Sequence, residues 1–99
     1  MAKNIKNVVV IGGGPAGMMA AIRASQSVKN VILLEQNNIL GKKLLLSGNG
    51  RCNLTNSDDL ESFLKGYSTN SDFLRDAFKV FFNNDLIKFF ESRKLKLIT

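Results

Sequence analysis

The sequence predicts an α/β fold built on parallel strands, and three observations carry that expectation. Two short runs rich in branched apolar residues, 5–11 and 31–35, are continuous rather than alternating, the pattern of strands covered on both faces. Between them a triple glycine, Gly12-Gly13-Gly14, opens directly into Pro15 and a stretch of good helix formers. Strand, glycine turn, helix and strand fit within about 30 residues, the length of a βαβ unit, whose crossover should be right-handed.

Each element has its own local warrant. Val8, Val9, Val10 and Ile11 make the first run a strand, and it stops at the glycines. Pro15 has the fixed φ that suits a first helical turn, and "AGMMAAIRASQS" follows with no further breaker. Ala16, Ala20, Ala21 and Ala24 are small enough to let this helix lie close against a sheet. "VILLE" then gives a second strand ending in the carboxylate of Glu35.

A long loop, residues 36–56, separates this unit from a helical segment, residues 57–94. Asn56 or Ser57 is expected to cap a first helix, with Asp58 and Asp59 in its first turn and Gly66 as its stop. Asn70 or Ser71 starts a second, in which Phe73, Leu74, Ala77, Phe78, Phe81 and Phe82 recur at helical spacing. Asn84 starts a third, with Arg93 and Lys94 near its negative end. Residues 95–99, "LKLIT", read as the start of a further strand. The whole of residues 1–99 is thus expected to be one small domain.

Composition excludes several classes. With 44% hydrophobic and 22% charged residues the chain is an ordinary globular protein, not a disordered one. No apolar run approaches the roughly 20 residues of a membrane span, and the first residues do not read as a signal peptide. The expectation is a cytoplasmic protein with no membrane partner. A single cysteine forms no internal disulfide, and the absence of histidine removes the commonest general base and zinc ligand together. No metal site is expected.

The net charge of +6 lies entirely in the first half: residues 1–51 hold seven basic residues against Glu35, whereas residues 52–99 are balanced. The basic residues are not interleaved with aromatics and follow no helix-turn-helix, RNP or zinc-finger pattern. A small anionic ligand fits better than nucleic acid.

The glycine turn points to that ligand. Gly12, Gly14 and Gly17 have the G-x-G-x-x-G spacing, in which the first permits the tight turn, the second admits a pyrophosphate and the third packs the helix against the strand. Phosphates then meet free N–H groups and the positive end of the helix, beside Pro15 and Ala16. Glu35 stands where a carboxylate accepts both ribose hydroxyls of an adenosine, with Gln36 next to it, and its charge disfavours a 2'-phosphate. NADP is thereby disfavoured, while NAD and FAD both remain open on the residues alone. No Walker-type G-x-x-x-x-G-K-[ST] occurs.

"VVVIGGGPAGMMAAI", "LLEQNNILGKKLLLSGNGRCNLTN" and "FFNNDLIKFFE" together resemble the amino-terminal quarter of the BaiN-like, or aminoacetone oxidase-like, family of FAD-binding flavoproteins. The resemblance implies a Rossmann-type FAD-binding fold and an FAD-dependent oxidoreductase acting on a small organic substrate. By position, it implies that Gly41, Lys42, Lys43, Ser47, Gly48, Gly50, Arg51, Cys52 and Asn53 lie along FAD. Gly48 and Gly50 let the chain turn, Ser47 and Asn53 offer hydrogen bonds, and Lys43 and Arg51 balance phosphates. Where relatives often have a third glycine this chain has Asn49, the next most tolerant residue for left-handed backbone. A solvated loop is an equal reading for Lys42, and Cys52 has no second cysteine with which to do disulfide chemistry. Catalytic residues remain unassigned.

Family members are several times longer. The expectation is therefore an incomplete flavoprotein, a fragment or part of a split gene, completed by its missing remainder or a second copy, and binding FAD weakly or not at all by itself. A non-catalytic nucleotide-binding module is the alternative reading.

Overall fold

The computed structural model describes residues 7–99. The chain divides into two compact units, Met1–Asn53 and Leu54–Thr99. The first is α/β: strand β1 (Asn7–Ile11) pairs in parallel with β2 (Asn30–Leu34), joined by helix α1 (Pro15–Ser25). The register sets Val8 opposite Val31 and Val10 opposite Leu33. This partial parallel sheet with its crossover helix is a Rossmann-type arrangement, as the sequence predicts; the expected start of β1 at Ile5 lies outside the described residues.

Coverage of the sheet differs from expectation. The strands are covered on one face rather than both, with Val9 54%, Ile11 85%, Ile32 50% and Leu34 51% exposed. The reason is geometric: alternate residues face opposite sides, and α1 packs on the Val8 and Val10 side alone. On α1 the small residues divide likewise. Ala21 and Ala24 are half-buried, while Ala16 and Ala20 face solvent.

The 36–56 loop contains structure that the sequence reading passed over. Helix α2 (Lys42–Leu46) follows Gly41, which has left-handed backbone at φ 66, and a 3-10 turn covers Gly48–Gly50. Leu45 and Leu46 are 70% and 80% exposed, so this short helix buries no apolar face of its own.

The second unit is helical: α3 (Leu60–Lys65), a 3-10 turn Ser71–Leu74, α4 (Arg75–Val80) and α5 (Asn83–Glu91). Capping chemistry shifts the expected boundaries. Asp59, not Asn56 or Ser57, caps α3, its Oδ1 accepting from the Ser62 N–H at 2.8 Å, while Asn56 closes a turn onto the Asp58 N–H at 3.0 Å. The helix expected across residues 71–82 breaks at Phe81, which is extended at φ −151, because Asp85 takes the Phe82 N–H at 2.8 Å and starts α5 there. No glycine follows α5, yet it closes as if one did. Lys94 adopts φ 67, and Leu95 and Lys94 donate their N–H groups to Phe90 and Glu91 carbonyls at 3.1 and 2.9 Å.

Phe63, Tyr67, Phe78 and Phe82 form the aromatic heart of this unit, with Phe63 edge-on to Phe78 and Phe82 at 5.4 and 5.0 Å. Leu64 is buried beside them at 3% exposure. Asn83 is buried too, and its amide donates to the carbonyls of Asn56 and Asp58 at 3.0 and 2.8 Å. Arg75 bridges Glu61 and Asp72 across the surface. Residues 95–99 carry no regular secondary structure; a strand needs a neighbour's backbone, and the sheet among the described residues contains β1 and β2 alone. No helix among the described residues is long and apolar enough to cross a membrane.

Candidate functional site

The site grows from the turn at the end of β1. Gly12 N–H donates to the Leu34 carbonyl at 2.8 Å, the last rung of the sheet, and Gly12 then takes φ +102 to leave it. Gly14 is the N-cap of α1, and Pro15 occupies the first turn. The first helical bond runs from Met18 N–H to the Gly14 carbonyl at 2.9 Å. The amides of Gly14, Ala16 and Gly17 therefore precede the helical ladder, and no group among the described residues accepts from them.

Gly14 and Gly17 differ sharply in what surrounds them. A Cβ added at Gly17 would overlap the Gly12 carbonyl oxygen and lie 2.9 Å from its carbon and 3.6 Å from Val10 Cγ1. A Cβ at Gly14 would meet nothing within 4 Å. Gly17 is thus the packing glycine, and the space over Gly14 is open.

Glu35 follows the last residue of β2 and reaches back to the turn. Its Oε1 accepts from the Gly13 N–H at 2.8 Å and its Oε2 from the Asn37 N–H at 2.6 Å. These bonds, that from Asn37 foremost and then that from Gly13, hold the carboxyl below its ordinary value. It is ionised near neutrality, and it is the single acid of residues 7–53 among Arg23, Lys29, Lys42, Lys43 and Arg51. Among the described residues none of those cations is in an ion pair, all such pairs lying in the second unit.

Gly13 is the residue that the spacing argument overlooked. It is buried, donates to Glu35, and accepts from the Gly41 N–H at 2.7 Å; a Cβ there would lie 2.5 Å from Leu40 Cδ2. Leu40, Gly41 and Asn37 hence belong to the site's frame. The one sequence signal for them is the middle glycine of three, redundant for the motif yet required by the packing. The Gly41 bond also brings the start of the lysine segment, Lys42 and Lys43, to the glycine turn.

The remaining predicted residues lie along one exposed stretch. Gln36 sits in the bend after β2. Ser47 Oγ donates back to the Leu44 carbonyl at 2.7 Å. Gly48, Asn49 and Gly50 all have positive φ, at 70, 48 and 84, and Arg51 N–H closes the turn on the Gly48 carbonyl at 2.8 Å. Arg51, Cys52 and Asn53 are exposed, and Cys52 is a free thiol. Among the described residues the hydrogen bonds of this stretch are local, so the structure joins Gly41 to the turn while residues 47–53 bond to their own neighbours. A depression of about 590 Å3 in the second unit, lined by consecutive residues from Tyr67 to Leu74, involves none of the predicted residues.

A strand-turn-helix with a bare helix start, and an acid from the next strand bonded into the turn, is a dinucleotide-binding frame. Residues 6–99 match the family described as HI0933-like protein Rossmann domain. The chain belongs to that family. Among relatives of this HI0933-like Rossmann domain is 3-dehydro-bile acid delta(4,6)-reductase of Clostridium scindens, 40% identical over 90 residues, covering 89% of this chain and 22% of the relative. Ribosomal RNA dihydrouridine synthases of Escherichia coli and Haemophilus influenzae are 42% identical over 50 residues and 35% over 80. Those alignments cover 50% and 80% of this chain and 12% and 19% of the relatives. The chain spans about a fifth of the length of the first of these relatives.

Proposed function

We infer that the chain supplies the ADP end of an FAD site in a flavoprotein oxidoreductase, of the BaiN-like kind that its motifs resemble. One observation carries the reading: the amides of Gly14, Ala16 and Gly17 at the start of α1 have no acceptor among the described residues, and a Cβ on Gly14 would meet nothing within 4 Å. That arrangement suits a diphosphate, which brings acceptor oxygens to donors that have none and meets the positive end of α1. Glu35 spends one lone pair of each oxygen on Gly13 and Asn37, which leaves further acceptor positions for ribose hydroxyls.

In this reading Gly12, Gly14, Pro15, Ala16, Gly17, Glu35 and Gln36 serve the adenosine and diphosphate. Lys42 and Lys43 offset phosphate charge, and Ser47, Gly48, Gly50, Arg51, Cys52 and Asn53 run along the rest of FAD. When bound, the flavin accepts and returns a hydride or electron pair; the chain's residues bind and orient it. The substrate is proposed to be a small organic molecule. One relative is named a reductase and two are named for making dihydrouridine, the hydrogenated form of uridine, which favours the reductive direction.

The test is an amide-resolved NMR titration with ADP, FAD and NADP, which reads weak binding as readily as strong. ADP and FAD should shift the Gly14, Ala16 and Gly17 amides, NADP less so, and Gly14→Val should abolish the shifts while preserving the remaining spectrum. Shifts confined to other residues, or surviving in Gly14→Val, would overturn the assignment.

A further inference from the structure

We propose that Asn49 is a site of spontaneous deamidation, placed where the change alters charge and backbone in the segment assigned to the cofactor. The reaction needs a nucleophilic backbone nitrogen following an asparagine and room to reach its side chain. Of all the asparagines in the chain, Asn49 alone precedes a glycine. The others precede valine, isoleucine, leucine, serine, asparagine or aspartate, whose side chains crowd the attacking nitrogen.

The structure removes the usual protections. Asn49 is exposed, and a Cβ on Gly50 would meet nothing within 4 Å. The Gly50 N–H lies at the end of a three-residue 3-10 turn, whose poor hydrogen-bond geometry holds the attacking nitrogen only weakly. Ring closure requires Asn49 to leave φ 48, ψ 50, a left-handed conformation disfavoured for a residue with a Cβ. Flanking glycines and a 3-10 turn of three residues, closed by Arg51 N–H on the Gly48 carbonyl, offer little resistance to that rotation. The basic surroundings of residues 7–53, with Glu35 as their single acid, favour loss of the amide proton.

The steps balance without any oxidant or cofactor. The Gly50 nitrogen bonds to Asn49 Cγ and gives up its proton; the Cγ–Nδ2 bond breaks, and the nitrogen leaves as ammonia with a proton from solvent. Water then opens the five-membered imide at either carbonyl, yielding aspartate or isoaspartate. The net change is an amide exchanged for a carboxylate two residues from Arg51. Isoaspartate also lengthens the main chain by a methylene, which the left-handed turn cannot keep. An effect on FAD rests on the functional reading above; the modification itself does not.

The experiment ages the chain at mildly alkaline pH, native and in urea, and follows each asparagine by proteolysis, mass spectrometry and isoaspartate detection. Asn49 should convert first, to both products, and in the native chain at a rate of the same order as in urea. Asn56 and Asn70, exposed and each followed by serine, are internal controls. Conversion of either ahead of Asn49, or full protection of Asn49 in the native chain, would overturn the proposal. Asn49→Gly should retain the fold and abolish conversion in this segment; continued isoaspartate there would equally refute it. Asn49→Asp separates the two readings: if it leaves the FAD-induced amide shifts unchanged, the cofactor consequence fails while the deamidation result stands.

Discussion

Substituting the two motif glycines separately should produce opposite phenotypes. Gly17→Ala places a methyl against backbone: it would overlap the Gly12 carbonyl oxygen and sit 2.9 Å from the carbonyl carbon, and neither can move without the sheet rung that Gly12 makes with Leu34. Helix α1 must back away instead. A gap of 0.5–1 Å forfeits roughly a quarter to a half of the dispersion between packed surfaces, and overpacking of this kind costs about 1–3 kcal/mol. Alanine's better helix propensity returns up to about 1 kcal/mol. Against a total stability of about 5–15 kcal/mol for a chain of this size, the net loss is measurable. Gly14→Ala meets open space and keeps an allowed φ of −79, so its stability should lie within about 0.5 kcal/mol of the parent. Urea unfolding followed by far-UV circular dichroism reads both. If Gly14→Ala lowers the midpoint more than Gly17→Ala, the division of roles between the glycines is wrong.

The other predictions concern the second unit and pH. Asn83→Ala leaves the Asn56 and Asp58 carbonyls without their donor and should cost about 1–3 kcal/mol; an unchanged unfolding midpoint would refute that clamp. Asp85→Ala frees the Phe82 N–H and removes the α5 cap, with an expected loss of about 0.5–2 kcal/mol, read as reduced helicity and a lower midpoint. The carboxyls of Glu35, Asp59 and Glu61 all lie below their ordinary values of 4.5, 3.8 and 4.5, through the Asn37 N–H, the Ser62 N–H and the Arg75 guanidinium respectively. A lowered folded value means the unfolded chain binds protons first, so stability should be flat above these ordinary values and fall as pH drops through the lower folded ones. Glu35→Gln retains an acceptor for one N–H but turns a donor toward the other, and it should flatten part of the acid slope; a slope identical to the parent's would remove Glu35 from the linkage.

How far the sequence could be read depended on whether the deciding interaction was local. The strand-glycine-helix-strand order, Pro15 at the helix start and the positive φ at Asn49 follow from residue chemistry within a few positions. So does the Gly17 contact, because the motif's spacing encodes it. The α3 boundary was misplaced because Asn56, Ser57 and Asp59 all offer caps and small differences in reach decide between them, and the one at Phe82 because the helical spacing of the phenylalanines runs on across the break that Asp85 makes. Lys94 closing α5 in a conformation usually left to glycine was not legible at all.

By itself, then, the sequence determined the βαβ frame, the glycine turn within it and the lone acid among cations beside that turn, since periodicity and glycine spacing act through neighbouring backbone. Only the tertiary structure decided that Gly13 joins Glu35 to Gly41, that Leu40 packs over that turn, and that one face of the sheet is covered while the other is bare. Those outcomes depend on which distant side chain reaches a given amide or surface first, and no local pattern records that.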